Sequence, residues 1–264
     1  MTRITGKDNP RIVSAGKLRQ KKYRDETGLF VISGKKLAEE AMICRVNVKE
    51  IFASDGFLKK EAAFAEKLQA AYASAAVFSI PDGLNKKLTD EESPEGIFCV
   101  CEKPSSPDKA RGGFVLICDR VADPGNVGTI LRSARAFGAS VILSSDCADP
   151  YSPKVLRAAM GAVFSDRIST ADDVKKTVSE LKNEGYKVYA AALHKKAVTL
   201  SSADLSGRCA VIIGNEGSGL SDETVAVCDE ALLIEMEKES ESLNAAVAAS
   251  IIMYHAYKTV GRLK

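Results

Sequence analysis

Residues 114–138 read FVLICDRVADPGNVGTILRSARAFG, and this stretch decides the fold class. FVLIC is a run of five apolar residues, the pattern of a strand covered on both faces. Pro124-Gly125 supplies a turn. From there Val127, Ile130, Leu131 and Ala134 recur at helical spacing as far as Phe137. Asn126 is expected to cap this helix, its side-chain oxygen satisfying an orphan amide. A buried strand that turns directly into a helix is half of a βαβ unit, whose ligands gather at the carboxyl ends of the strands.

The same alternation continues to the end of the chain. Apolar strands are expected at 141–143, 187–191, 211–213 and 231–234, and helices at 153–160, 174–181 and 242–257. Strands alternating with helices predict an α/β domain over 114–264, built on a parallel sheet. Upstream, EKPSSPDKARGG has no apolar periodicity and reads as a linker over 102–113. Residues 1–101 then form a smaller α/β domain, with helices at 9–22, 35–43 and 61–73 and strands at 29–32, 50–53, 77–80 and 97–100.

Charge is distributed unevenly. The first 49 residues hold twelve Lys/Arg against five Asp/Glu, a net of +7, while the remaining 215 carry a net of −5. A basic segment on a mildly acidic chain fits a polyanion partner. No apolar run approaches the ~20 residues of a membrane span, and Met1–Asn9 has no apolar core of a secretory signal. Seven cysteines without a Cys-x-x-Cys pair read as reduced thiols in a cytoplasmic protein. With two histidines and no cluster of ligands, no metal is expected.

Three segments could carry chemistry. The first is the turn and helix start at 119–138, with Arg132 and Arg135 on roughly one side of the helix. The second is GNEGSGLS at 214–221, whose glycines let backbone approach a ligand. It is neither a dinucleotide fingerprint nor a P-loop. Its Glu216 could meet a cation or hold a substrate hydroxyl. The third is IEMEKESESLN at 234–244, where Ser242 would cap the last helix and Asn244 could donate and accept without charge. That helix is apolar nearly all round, so a partner is expected on one face, with Ala245, Ala246, Ala248 and Ala249 allowing close approach.

In this order and spacing the three segments resemble the SpoU (TrmH-like) RNA ribose 2′-O-methyltransferases of the SPOUT superfamily. The first resembles that family's N-P-G-N-x-G-T-I-x-R-T-A-x-A-F-G, with Asp123 and Ser133 as departures. The second resembles G-x-E-G-x-G-L-S. The third resembles I-P-M-x(5)-S-L-N-V, with Glu235 and Ala245 as departures. Residues 4–18 and 24–42 are similar to the family's L30e-like substrate-binding domain.

The resemblance implies a trefoil-knot methyltransferase domain, S-adenosylmethionine as cofactor, RNA as partner and a homodimer. It carries catalytic roles onto Asn126, Arg132, Glu216, Ser242 and Asn244. It carries cofactor contacts onto Leu193, Gly214, Ile234, Met236 and Leu243. For Arg132 the resemblance implies the base that activates the ribose hydroxyl; because a guanidinium gives up its proton reluctantly, the role of phosphate clamp and stabiliser of the developing alkoxide stands beside it. The implied reaction is 2′-O-methylation of a ribose, with 23S ribosomal RNA as the expected substrate. Transfer RNA, or a non-catalytic role as an RNA-binding ribosome-assembly factor, are the alternatives.

Overall fold

The computed structural model describes residues 1–89, 91–104, 112–194, 196–237 and 242–259. By contacts the chain divides into two units: 1–105 with 149–164, and 106–148 with 165–264. Most of the linker expected over 102–113, residues 105–111, lies outside the described residues, and Glu102 belongs to the strand before it.

The first unit runs β1 (Thr2–Arg3), α1 (Pro10–Lys17), α2 (Lys21–Thr27), β2 (Leu29–Ser33), α3 (Lys35–Ile43), β3 (Val48–Ser54), α4 (Asp55–Lys60), α5 (Ala62–Ala71), β4 (Ala76–Ile80), α6 (Asn85–Leu88) and β5 (Ile97–Glu102). Its sheet order is β1-β4-β3-β5-β2. The pairs β1/β4 and β4/β3 are parallel, and β5 lies antiparallel to both β3 and β2. Asn9 Oδ1 accepts the Arg11 amide at 3.0 Å and Pro10 opens α1, as the sequence indicates.

The single helix expected over 9–22 is two. The amides of Leu18, Arg19 and Gln20 bond three residues back, to Ala15, Gly16 and Lys17. That tighter turn ends α1 and leaves Leu18 in the core with Ile12, Phe52, Phe78 and Phe98.

The second unit runs β6 (Phe114–Cys118), α7 (Pro124–Phe137), β7 (Ser140–Ser144), β8 (Ile168–Ala171), α9 (Val174–Asn183), β9 (Lys187–Ala191), β10 (Val198–Thr199), β11 (Cys209–Ile213), α10 (Asp222–Val227), β12 (Glu230–Leu233) and α11 (Ala245–Thr259). The seven strands are all parallel, in the order β10-β12-β9-β11-β6-β7-β8. This is the parallel sheet expected from the sequence, and its central strands β6 and β11 are apolar and buried. Between β7 and β8 the chain makes α8 (Pro153–Ala159), which belongs by contacts to the first unit.

Helix α11 packs on α7. Ala245, Ala246 and Ala249 are buried there, and Ser133 Oγ meets Ser250 Oγ at 2.8 Å. The small residues thus admit a helix of the same chain. A different stripe, Val247, Ile251 and Tyr254, is left exposed. Among the described residues no helix is long and apolar enough to cross a membrane.

Candidate active site

The cluster forms just past the carboxyl ends of β6 and β11. The loop after β6 begins with Asp119 and Arg120. Arg120 adopts φ +58, a left-handed conformation unusual for a side-chain-bearing residue. It is held at both ends: its amide donates to Ser144 Oγ at 2.9 Å, and its carbonyl accepts from Asn215 Nδ2 at 2.9 Å.

Asp123, rather than Asn126, is the cap of α7. Its Oδ1 accepts the Asn126 amide at 2.8 Å, and Pro124 occupies the first helical position. The cap therefore lies three residues earlier than the sequence reading placed it. This shift frees the Asn126 side chain for other partners.

The loop after β11 is tied to itself. Asn215 and Gly219 exchange backbone hydrogen bonds of 3.2 and 2.9 Å, and Asn215 Oδ1 accepts the amides of Gly217 and Ser218. A Cβ on Gly214 would stand 2.4 Å from the Gly219 carbonyl carbon, so only glycine fits there. The closed loop presents Glu216 to the first loop. Glu216 Oε1 accepts Asn126 Nδ2 at 2.8 Å and the Asp123 amide at 3.2 Å, while Oε2 accepts the Ala122 amide at 3.2 Å. Among the described residues its partners are uncharged hydrogen-bond donors. Burial pushes the Glu216 carboxyl up, but the hydrogen bonds from Asn126 and the backbone amides outweigh it and hold its pKa below the ordinary glutamate value.

Asn244 closes the row. Its Nδ2 donates to Asn126 Oδ1 at 2.9 Å, and its own Oδ1 accepts the amides of Ala246 and Val247 at 2.9 and 3.3 Å. Asn244 is thus the cap of α11, the place the sequence reading gave to Ser242. Ser242 is exposed and makes no hydrogen bond among the described residues. Arg132 is likewise exposed on α7 without a partner among the described residues.

The structure therefore links Asn126, Glu216 and Asn244 into one hydrogen-bonded row, and leaves Arg132 and Ser242 outside it. The supporting roles of Asn215, Asp123 and Arg120 were missed in the sequence. The Asn-Glu pair inside a glycine loop was the signal for Asn215.

The remaining candidates sit along one edge of the sheet. Gly214 follows β11, Leu193 lies two residues past β9, and Ile234 follows β12, and these three strands are neighbours. Strand ends leave backbone donors and acceptors without ladder partners. Leu193 is 71% exposed, whereas Ile234, Met236 and Leu243 are half-buried. Residues 238–241, part of the third motif, lie outside the described residues.

Comparison with known proteins gives this arrangement its context. Residues 113–254 match the model of the SpoU rRNA Methylase family, and residues 9–99 match the MRM3-like substrate binding domain. The chain is 34% identical over 256 residues to the 23S rRNA (guanosine(2553)-2′-O)-methyltransferase RlmP of Bacillus subtilis, covering 97% of this chain and 99% of that one. It is similar to an AdoMet-bound rRNA methyltransferase from Sinorhizobium meliloti, with a TM-score of 0.88 and 28% identity, covering 100% and 99% of the two chains. It is also similar to the SpoU methyltransferase AviRb from Streptomyces viridochromogenes in complex with AdoMet, with a TM-score of 0.86 and 25% identity, covering 97% and 100%. Matched through both units, and by the family's own model over more than half its length, the chain belongs to the SpoU rRNA methylase family.

Proposed function

We propose that this protein transfers a methyl group from S-adenosylmethionine to a ribose 2′-oxygen of 23S ribosomal RNA, in the cytoplasm and as a homodimer. The observation that carries the reading is the hydrogen-bonded row Asn244–Asn126–Glu216 at the ends of parallel strands, with Arg132, unpartnered among the described residues, on the same helix as Asn126. The 23S assignment rests on the whole-length likeness to RlmP.

The residues present fit the cofactor. Gly214, Leu193 and Ile234 follow three adjacent strand ends, where backbone groups of fixed geometry suit the edge of an adenine. Leu193, Met236 and Leu243 supply apolar cover. When bound, the cofactor supplies a methyl group made electrophilic by the adjacent sulfonium. The donor is cationic, so no metal is required to polarise it.

The protein's part is positioning and charge. A ribose hydroxyl is a poor nucleophile, so its developing negative charge must be stabilised while its proton passes to solvent water. Arg132 is the group for that task, its guanidinium also able to clamp a neighbouring phosphate. Glu216 holds Asn126 in one orientation by accepting from its amide nitrogen, and Asn244 fixes the amide oxygen. The site is thereby ordered before the RNA arrives, which lowers the cost of a productive encounter.

The dimer is supported by α11. Val247, Ile251 and Tyr254 recur at i, i+4 and i+7 and are 47%, 38% and 47% exposed, an apolar stripe suited to the same stripe of a second copy.

The test is transfer of labelled methyl from S-adenosylmethionine to 23S ribosomal RNA, followed by alkaline hydrolysis. A 2′-O-methyl ribose blocks cleavage at its own phosphodiester, so label should appear in alkali-resistant dinucleotides. Label recovered in single nucleotides would mean base methylation and would contradict the proposal. No transfer, with RNA still bound, would favour the assembly-factor role.

A further inference from the structure

Residues 149–164 leave the second unit after β7 and rejoin it before β8, yet their contacts lie within the first unit. A β–α–β crossover ordinarily lays its helix on its own sheet. This one lends its helix away, so the chain passes between the units three times and not only at the linker.

The lent strap begins on a buried ion pair. Arg24 Nε and Nη2 stand 2.7 and 2.6 Å from Asp149 Oδ2, with side chains only 3% and 9% exposed. Arg24 Nη1 donates to the Leu18 carbonyl at 2.8 Å, and Asp149 Oδ1 accepts the Tyr151 amide at 2.8 Å. Further along, Tyr151 packs on Phe30 with ring centroids 4.8 Å apart, and Arg157 meets Glu91 at 3.6 Å. Desolvating two charges cancels most of their attraction, so a buried pair contributes little net stability over an apolar one of equal volume. Its distinctive property is fixed geometry.

What it fixes is the chain immediately before it. The Ala148 amide donates to the Val121 carbonyl at 2.9 Å, and Cys147 Sγ donates to the Cys118 carbonyl at 3.2 Å. Ser144, at the start of the same turn, accepts the Arg120 amide. These bonds hold loop 118–123, and the next two amides of that loop, Ala122 and Asp123, are the ones that hold Glu216. Asp149 is thus the chain neighbour of Ala148, whose amide ties down the loop that carries the two amides bound to Glu216.

We propose that the Arg24–Asp149 pair is a positioning element for methyl transfer, pinning the strap at its first residue so that loop 118–123 presents its amides to Glu216. The proposal rests on the function proposed above. It assigns Arg24 and Asp149 no contact with RNA or cofactor.

The test is the double variant Arg24→Met with Asp149→Leu, which removes both charges and leaves neither buried alone, compared with wild type and with Arg24→Lys. Expected are dissociation constants for S-adenosylmethionine and for 23S RNA within about twofold of wild type, with kcat at least tenfold lower and partly restored in Arg24→Lys. Hydrogen exchange at Ala122 and Asp123, read in the free protein, should be faster in the double variant. Unchanged exchange at these two amides would overturn the proposal, as would a loss confined to RNA affinity. If the double variant does not fold, Arg24→Lys carries the same exchange measurement. If wild type methylates no ribose, the proposed function fails, and the exchange measurement still decides the clamp.

Discussion

Asn126 and Glu216 are 90 residues apart in sequence, and Asn126 Nδ2 donates to Glu216 Oε1 at 2.8 Å. The bond joins the loops that follow two neighbouring strands, β6 and β11. Because Asp123 caps α7, Asn126 can spend both ends of its amide on other partners, Glu216 on one side and Asn244 on the other.

Replacing Asn126 with Asp should therefore set two carboxylates against each other. The wild-type Glu216 pKa is lowered, so its hydrogen bonds contribute fully above the ordinary glutamate value of 4.5 and are lost as pH falls through the lowered pKa. In Asn126→Asp the like charge raises the pKa of one carboxyl of the pair. Relative to wild type, the variant should melt lower at pH 8 and recover as pH falls toward 5. Scanning calorimetry across this range checks it, and parallel pH profiles would refute it.

Arg132 should matter to the reaction and not to the fold. It is exposed and unpartnered among the described residues. Arg132→Ala should leave thermal stability within ±0.5 kcal/mol, the usual range for such surface changes. Turnover should fall by at least ~10², comparable to removing one preorganised donor. Single-turnover methylation together with a melting curve checks both halves.

Ile251→Glu should weaken self-association by placing a charge in the exposed stripe of α11. Light scattering should show monomers, and specific activity at equal concentration should drop. Ala249 is a poor choice for this experiment, because it is fully buried against the rest of its own unit and a charge there would unfold the domain. A wild-type monomer with full activity would rule out the dimer requirement.

A fragment beginning at residue 113 should fold incompletely. It would keep residues 149–164 but lose Arg24 and Phe30, the partners of Asp149 and Tyr151. A segment whose contacts lie within the missing unit loses both its partners and its cover, which favours local opening. Hydrogen exchange should find 149–164 unprotected in the fragment and protected in the whole chain.

Much of this was legible in the sequence, for identifiable reasons. FVLIC and CAVII are apolar runs that only a sheet covered on both faces can use, so the parallel core could be read directly. Asn126, Glu216 and Asn244 lie in three separate motifs, and the family resemblance groups them. Capping was misplaced twice, at Asn126 and Ser242, because several capping residues lie close together and pattern alone does not rank them. Strand β8 was missed since ISTA has only one large apolar residue. The strap could not be foreseen, because a helix lent across a unit boundary has the same apolar spacing as one kept at home.

Methylation of a ribose in 23S RNA through Arg132 and the row of Asn126, Glu216 and Asn244 is the activity proposed for this site. The most direct measurement is site mapping of 2′-O-methyl groups in 23S RNA from cells lacking the protein, complemented with wild type or with Arg132→Ala. Expected is one 2′-O-methyl nucleotide that disappears on deletion, returns with wild type, and stays absent or sparse with Arg132→Ala. Identical 2′-O-methyl maps with and without the protein, or full restoration by Arg132→Ala, would contradict it.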